Sequence, residues 1–440
     1  MRAATIAVLL LLAGNTGWSQ VFGGNSPSTR WLRLQQPGVS VIFPREHVAD
    51  AARISTIIGR INRQPDSSIG GKRKSVPIVL QRETTVSNGY VGLAPFRSEF
   101  MLTPPADPFD QGSTPWVDQL ALHEYRHVEQ YSNFNRGGAK LFSILLGQQG
   151  QAFANALTVP DWFFEGDAVY QETRYSTQGR GRLASFFNGY RSLWESSRNY
   201  SFAKLRNGSL KDYVPTHYDL GYQLVAYGYE KYGASFWRNV SLDAAAMKGV
   251  FYPWQKAISR YTALPYRDFV QQALQRNRSV LQVKAVVNKK SAYADELNPV
   301  YTETGSLLHT RTSFSAVPAF YEETNYQLRR IRTRDRSADS YFSYSNGSII
   351  YASYRPDIRW GWKNYSELQL LNTATGKQKT ITRKSKYFSP SLSATGDSII
   401  AVYNQPGEPV ALHLLDRDGK LLKTWPAGTN ELYYHPVFAG

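Results

Sequence analysis

Beyond about residue 290 the chain repeats itself, and that repeat restricts the fold more than any other feature. Three stretches align: "NPVYTETGSLLHTRTS" from Asn298, "YFSYSNGSIIYASYR" from Tyr341 and "FSPSLSATGDSIIAVYN" from Phe388. Each has an aromatic or Pro-containing lead, a turn with glycine and a β-rich run. The second and third continue into "LQLLNTATGKQKTIT" and "LHLLDRDGKLLKTW", each a strand, a glycine turn and another strand. The turn glycines Gly305, Gly347 and Gly396 recur at a period of roughly 40–50 residues, the spacing of propeller blades. Closing a propeller takes about four or more blades, whereas only one more lead, "YYHPVF" from Tyr433, follows. The expectation is an incomplete all-β propeller of about three blades over 290–440, in a chain that looks truncated, with an irregular β-sandwich as the alternative.

The region before it has a different rhythm. "VSVIFP" (39–44) and "SVPIVLQ" (75–81) read as strands flanking a helical stretch at 47–64. "NGYVGLAPFRSEFML" (88–102) reads as a hairpin or edge strand, with Asn-Gly as its turn in the plainest version. Helical patterns then run from Trp116 to Ser132 and over 161–175, 218–233 and 266–280. Together these predict an α+β domain over 21–289.

Export is expected as well. The chain opens "MRAATIAVLLLLAGNTGWSQ": an early arginine, an apolar run of about eleven residues, then small residues, which is the build of a secretory signal and too short to span a bilayer. Residues 1–20 are therefore set apart from the fold, and a periplasmic, outer-membrane-associated or extracellular protein follows. No later segment predicts a transmembrane helix. The chain carries a net charge of +17, which favours polyanionic surroundings. Its densest basic runs, "GGKRKS" (70–75) and "RTRDRS" (332–337), read as solvated loops, so nucleic acid is not an expected partner. There are no cysteines, so any transition-metal site must use histidine and carboxylate ligands.

One stretch has that chemistry. In "ALHEYRHVEQ" (121–130) His123 and His127 stand four apart, with Glu124 after the first. On a helix such residues share a face, so two imidazoles can meet one ion while the glutamate addresses water beside it. This is the H-E-x-x-H arrangement of zinc hydrolases, against the plainer reading of a helix that carries two histidines. A catalytic zinc needs a third protein ligand. No histidine lies between His127 and His217, but "PDWFFEGDAVYQE" (160–172) places Glu165 behind three aromatics, where a buried carboxylate needs a partner.

These two segments resemble the gluzincin metallopeptidases, the thermolysin and aminopeptidase type of peptidase clan MA, in which a tryptophan-led E-G-x-A follows the H-E-x-x-H helix. The resemblance covers mainly 116–175. It implies a zincin-like fold, Zn2+ bound by His123, His127 and Glu165, Glu124 as general base, and a peptide or protein substrate. The gap from His127 to Glu165 is longer than in the best-known members and is filled by a Gly/Gln-rich insert at 136–159. "VPTHYDLGYQLVAYGYEKYG" (214–233) resembles a later helix of related families that brings a tyrosine to the oxyanion; Tyr218 is the candidate, with Tyr222 and His217 as alternatives. Glu172, two turns beyond Glu165, shares its face and can support a ligating histidine, whereas Asp167 does not. Substrate in thermolysin-type enzymes adds to an edge strand, a role open to 87–96. The C-terminal repeats resemble TolB-type blades, which would bind substrate, glycan or an envelope partner.

The leading expectation is an exported zinc metallopeptidase with a propeller. A non-catalytic envelope-binding or adhesion protein, working through the propeller, is the alternative, and the aromatic-rich "YRPDIRWGWKNY" (354–365) motivates its glycan-binding version.

Overall fold

The computed structural model describes residues 23–64, 68–106, 111–196, 198–281, 293–428 and 431–439. The expected signal at 1–20 and the domain junction near 290 lie outside them.

The first layer is a five-stranded sheet in the order β1-β2-β3-β5-β4, from strands β1 (Trp31–Gln36), β2 (Val39–Pro44), β3 (Val76–Gln81), β4 (Gly89–Gly92) and β5 (Arg97–Met101). Helix α1 (Val48–Arg63) makes the crossover between parallel β2 and β3, the connection that a parallel pair requires. Ala51, Ile54 and Ile58 of α1 and Leu120, Ala121, Tyr125 and Val128 of α2 (Trp116–Phe134) bury against Val41, Phe43, Ile78, Leu80 and Phe100 of the sheet. Among the described residues β4 pairs antiparallel with β5 only and leaves its other edge open. Asn88-Gly89 is not the hairpin turn: β4 begins at Gly89 and the chain reverses at 93–96.

Helices α3 (Gly137–Thr158), α4 (Asp161–Tyr175), α5 (Asn188–Glu195), α6 (Phe202–Asn207), α7 (His217–Tyr232), α8 (Phe236–Ala245), α9 (Pro253–Thr262) and α10 (Tyr266–Val280) follow. They enclose an aromatic core around Trp162, Phe163, Trp237, Trp254 and Phe269, with offset and edge-on ring contacts such as Phe163 on Trp254 at 4.7 Å. The insert read at 136–159 is thus helical. Within α3 the helix breaks at Leu146 and Gly147. Gly147 holds φ 63°, ψ −150°, a region essentially restricted to glycine, and there the chain doubles back on itself.

Three four-stranded antiparallel meanders complete the molecule: β6 (Ala294–Tyr301) to β9 (Gln327–Thr333), β10 (Phe342–Ser345) to β13 (Gln378–Thr380), and β14 (Tyr387–Leu392) to β17 (Leu421–Pro426). Gly305, Gly347 and Gly396 each turn the first strand into the second at φ 80°, 70° and 73°, as the repeat requires. Leu308 and Phe320 of the first sheet pack on Ile349 and Tyr351 of the second. Ile350 and Leu368 of the second pack on Ile399 and Leu415 of the third. Three blades stacked face to face, not closed into a ring, replace the two facing sheets of a sandwich. The fourth lead forms no strand over 431–439. The basic runs are also less solvated than their composition implied. Arg73 pairs with Glu129 at 2.9 Å. Arg334 is buried and donates to the carbonyls of Asp339 and Tyr341, each at 3.0 Å.

Hydrogen bonds join blades and sheet. Thr85 Oγ1 donates to Asn364 Oδ1 at 2.6 Å, and the buried Lys386 ammonium donates to Glu83 O at 2.6 Å and Asn364 O at 2.9 Å. Of the aromatics motivating glycan binding, Trp362 is packed over Gly24, where an added Cβ would come within 2.6 Å of the indole. No helix among the described residues is long and apolar enough to cross a membrane.

Candidate metal centre

α2 lies between the sheet and the helical layer, so nearly all its residues from Gln119 to Phe134 are buried, charged ones included. Its His123 and His127 face α4 rather than solvent. Their rings stand edge to face with centroids 5.0 Å apart. Glu165 Oε2 meets both, 3.3 Å from His123 Nε2 and 3.6 Å from His127 Nε2, and one donor atom from each of the three lies within 4.8 Å of the others. Neighbouring donors in a tetrahedral shell with bonds of about 2.0–2.1 Å are about 3.3–3.4 Å apart, so two nitrogens and one oxygen at these separations fit a zinc-sized cation.

The neighbouring hydrogen bonds aim the right nitrogen at the centre. Gln130 Nε2 donates to Phe164 O and Asp167 Oδ2, each at 3.0 Å, so its Oε1 is the atom 2.8 Å from His127 Nδ1. That nitrogen must carry a proton, so Nε2 is the one whose lone pair is available to a cation. His123 Nδ1 lies 3.0 Å from Glu172 Oε2 and is likewise the donor. Arg180 Nη2 lies 2.9 Å from the same Nδ1, but two donors do not bond each other. Both converge on Glu172, which Arg180 also reaches through Nε at 2.8 Å. Such partners fix ring orientation and ligand basicity.

Charge coupling is strong. Burial disfavours the charged form of His123, yet Glu165 and Glu172 outweigh it and lift the ring to about 9. Burial also opposes ionisation of Glu165, but the two histidines hold its carboxyl far below the usual range. A cation would satisfy that carboxylate and replace the imidazolium charge. Glu124 differs: burial raises its carboxyl above the ordinary value, and the histidines offset this only in part. Its Oε2 is buried with no hydrogen-bond partner among the described residues. A Cβ on Gly89 would come within 2.9 Å of Glu124 Oε1, so only glycine at the start of β4 lets the edge strand pass this close.

Tyr218 reaches the site because α4 and α7 cross backbone to backbone. A Cβ on Gly166 would fall 2.1 Å from Gly221 C, and one on Gly221 would fall 1.9 Å from Trp162 O. Gly221 sits one turn along α7 from Tyr218, and Gly166 follows Glu165, so this crossing sets the tyrosine beside the carboxylate. The Arg180 guanidinium stands 5.3 Å from the Tyr218 ring. Burial and the Glu165 charge push the phenol upward, so it stays an O–H donor. His217 lines the same cleft, whereas Tyr222 packs on Tyr170, Phe186 and Phe187. Asp167, turned away as its spacing predicts, holds the buried Arg126 at 2.6 Å.

The cleft has a volume of about 510 Å³, and residues 87–91 line it together with His123, Glu124, His127 and Glu165. A second cavity of about 430 Å³ shares Ser87, Gln111 and Trp116 with it and runs on to Arg336, Tyr354 and His435 of the blade region. Gln130, Arg180 and the Arg126–Asp167 pair went unread in the sequence; only Gln130, one turn from His127 on the same helix, left a spacing signal.

No protein-family model matches the chain, and no curated protein does. Among solved structures it is similar to TolB from Acinetobacter baumannii, at 22% identity and a TM-score of 0.25, over 32% of this chain and 35% of that one. It is also similar to the β-propeller domain of the Trilobed protease from Pyrococcus furiosus, at 17% identity and a TM-score of 0.22, over 32% and 45%. The chain thus spans less than half the length of either.

Proposed function

We propose that the protein is an exported zinc metallopeptidase of gluzincin type. The observation that carries this reading is the convergence of His123, His127 and Glu165 in the same cleft as a buried Glu124 carboxylate oxygen that has no partner among the described residues. The two histidine Nε2 atoms and the Glu165 carboxylate would hold the ion. Bound there, zinc supplies Lewis-acid polarisation of water and of the scissile carbonyl; iron or cobalt would accept the same ligands.

The chain's own groups do the rest. The free edge of β4 offers backbone N–H and C=O groups to an extended peptide, which adds as a further strand. That pairing holds the scissile bond over Glu124. The Glu124 carboxylate accepts a proton from the attacking water and returns it to the departing amine. Burial, by raising its basicity, suits it to both steps. Tyr218 donates its O–H to the oxygen on which negative charge develops. Arg180 holds Glu172, and through it His123, in place. The cavity continuing toward Arg336 and His435 gives the blades a place along a long substrate.

The test is Glu124→Gln, assayed for zinc content and for cleavage of a peptide library. Zinc retained with cleavage reduced at least about a thousandfold supports the reading. Undiminished cleavage, or a wild type that takes up no zinc, overturns it.

A further inference from the structure

The doubled-back α3 forms an apolar prong. Leu141, Ile144, Leu145 and Leu146 at its tip are each 56–71% exposed, and Phe153 and Leu157 on the returning arm are 55% and 62% exposed. The two arms are tightly joined: the rings of Phe142 and Phe153 lie 5.9 Å apart, and a Cβ on Gly150 would meet Phe142 O at 2.1 Å. Both ends are anchored as well. Next to the break, Gln148 Oε1 accepts from the backbone N–H groups of Ala94 and Phe96 at 3.1 and 2.8 Å, and at the base Gly138 N donates to Ala246 O at 3.1 Å. That last contact brings a second exposed apolar loop, Val250, Phe251 and Tyr252, onto the segment beside the prong. Large apolar side chains clustered in this way mark an interaction surface.

Charge identifies the partner. Residues 135–160 and 244–265 contain Arg136, Lys140, Lys248, Lys256 and Arg260 and no acidic residue. The carboxylate nearest this loop in sequence, Asp243, is held by Lys248 at 2.7 Å and also by Arg260. Leucine, isoleucine and phenylalanine rimmed by lysine and arginine match the acyl boundary and headgroups of an anionic bilayer. Alone, α3 is too short after its break to span one. We propose that the prong and the 248–252 loop seat the protein on an anionic lipid surface, lying in the interface rather than crossing it. This goes beyond the peptidase reading and does not depend on it.

The experiment is flotation with vesicles of phosphatidylcholine alone or with phosphatidylglycerol added. The chain begins at Gln20, which keeps every described residue but removes the apolar run Ala3–Ala13 as a source of membrane affinity. Binding to the anionic vesicles is expected, at least about tenfold tighter than to the neutral ones. Ile144→Ser with Leu145→Ser should weaken it about tenfold or more, and Lys140→Glu with Lys256→Glu should remove the anionic preference. The exposed positions let both variants fold, which unchanged circular dichroism checks. No vesicle binding by the parent chain, or binding indifferent to the serine pair, overturns the proposal. A stable dimer that the serine pair dissociates, without vesicle binding, does the same and assigns the prong to a second copy of the chain.

Discussion

The two parts of the molecule bury charge for different ends. Around α2, buried Arg126, Glu129 and Asp167 are paired across distant segments, Arg126 with Asp167 at 2.6 Å and Glu129 with Arg73 at 2.9 Å. They brace a helix whose histidines need one orientation. Among the blades, Arg334 is spent on carbonyls five and seven residues onward, closing its own loop. In a meander of consecutive strands a buried arginine can find its partners close by in the chain. A cleft assembled from α2, α4, α7 and an edge strand needs charge satisfied across distant segments. What separates the two is therefore the sequence distance over which a buried arginine is paired.

The largest break in that comparison should come at Asp167. Asp167→Ala leaves the Arg126 guanidinium buried without its main partner and should cost about 3–5 kcal/mol, read as a lowered unfolding temperature of the helical part. Asp418, on the blade surface with Lys379 at 2.7 Å, is the control: Asp418→Ala should leave the unfolding temperature nearly unchanged.

Lys386 sits where the halves meet and sharpens the contrast through pH. Burial lowers its ammonium from 10.5 to about 8. Across about pH 8–10.5 the unfolded chain therefore binds more protons than the folded one, and stability rises with pH in that window. Lys386→Met should abolish this alkaline rise, worth at most about 3 kcal/mol, in pH-dependent denaturation curves.

Gly166→Ala should cost about 1–3 kcal/mol by forcing α4 and α7 apart. Peptide cleavage should fall further than stability does, because Tyr218 is carried out of place while His123, His127 and zinc content stay. Glu172→Gln is the gentlest change. It keeps a partner for His123 Nδ1 but removes its charge, and zinc affinity should drop about 10–100-fold in competition with a chelator.

Much of this was legible before any coordinates. The pairing of His123, Glu124 and His127 on one helix face follows from helical period, and Glu165 from its place behind three aromatics together with the resemblance of that segment to the gluzincin E-G-x-A. Glu172 followed from two-turn spacing, and the blades from turn glycines. What could not be read depends on tertiary packing. Arg180 reaches Glu172 only because the chain turns back at Gly179, φ 73°. Tyr218 and Tyr222 are alike in sequence, and the Gly166–Gly221 crossing separates them. The α3 prong shows no amphipathic period because one arm faces the cleft while its tip is apolar all round, so it read as an insert.

The central claim is that two histidines and a glutamate form one metal centre. Anomalous diffraction at the zinc edge, on crystals of zinc-loaded protein, tests it most directly. A single strong peak about 2.0–2.2 Å from His123 Nε2, His127 Nε2 and a Glu165 carboxylate oxygen is the predicted result. A peak elsewhere, or one that His123 and His127 share without Glu165, would contradict it.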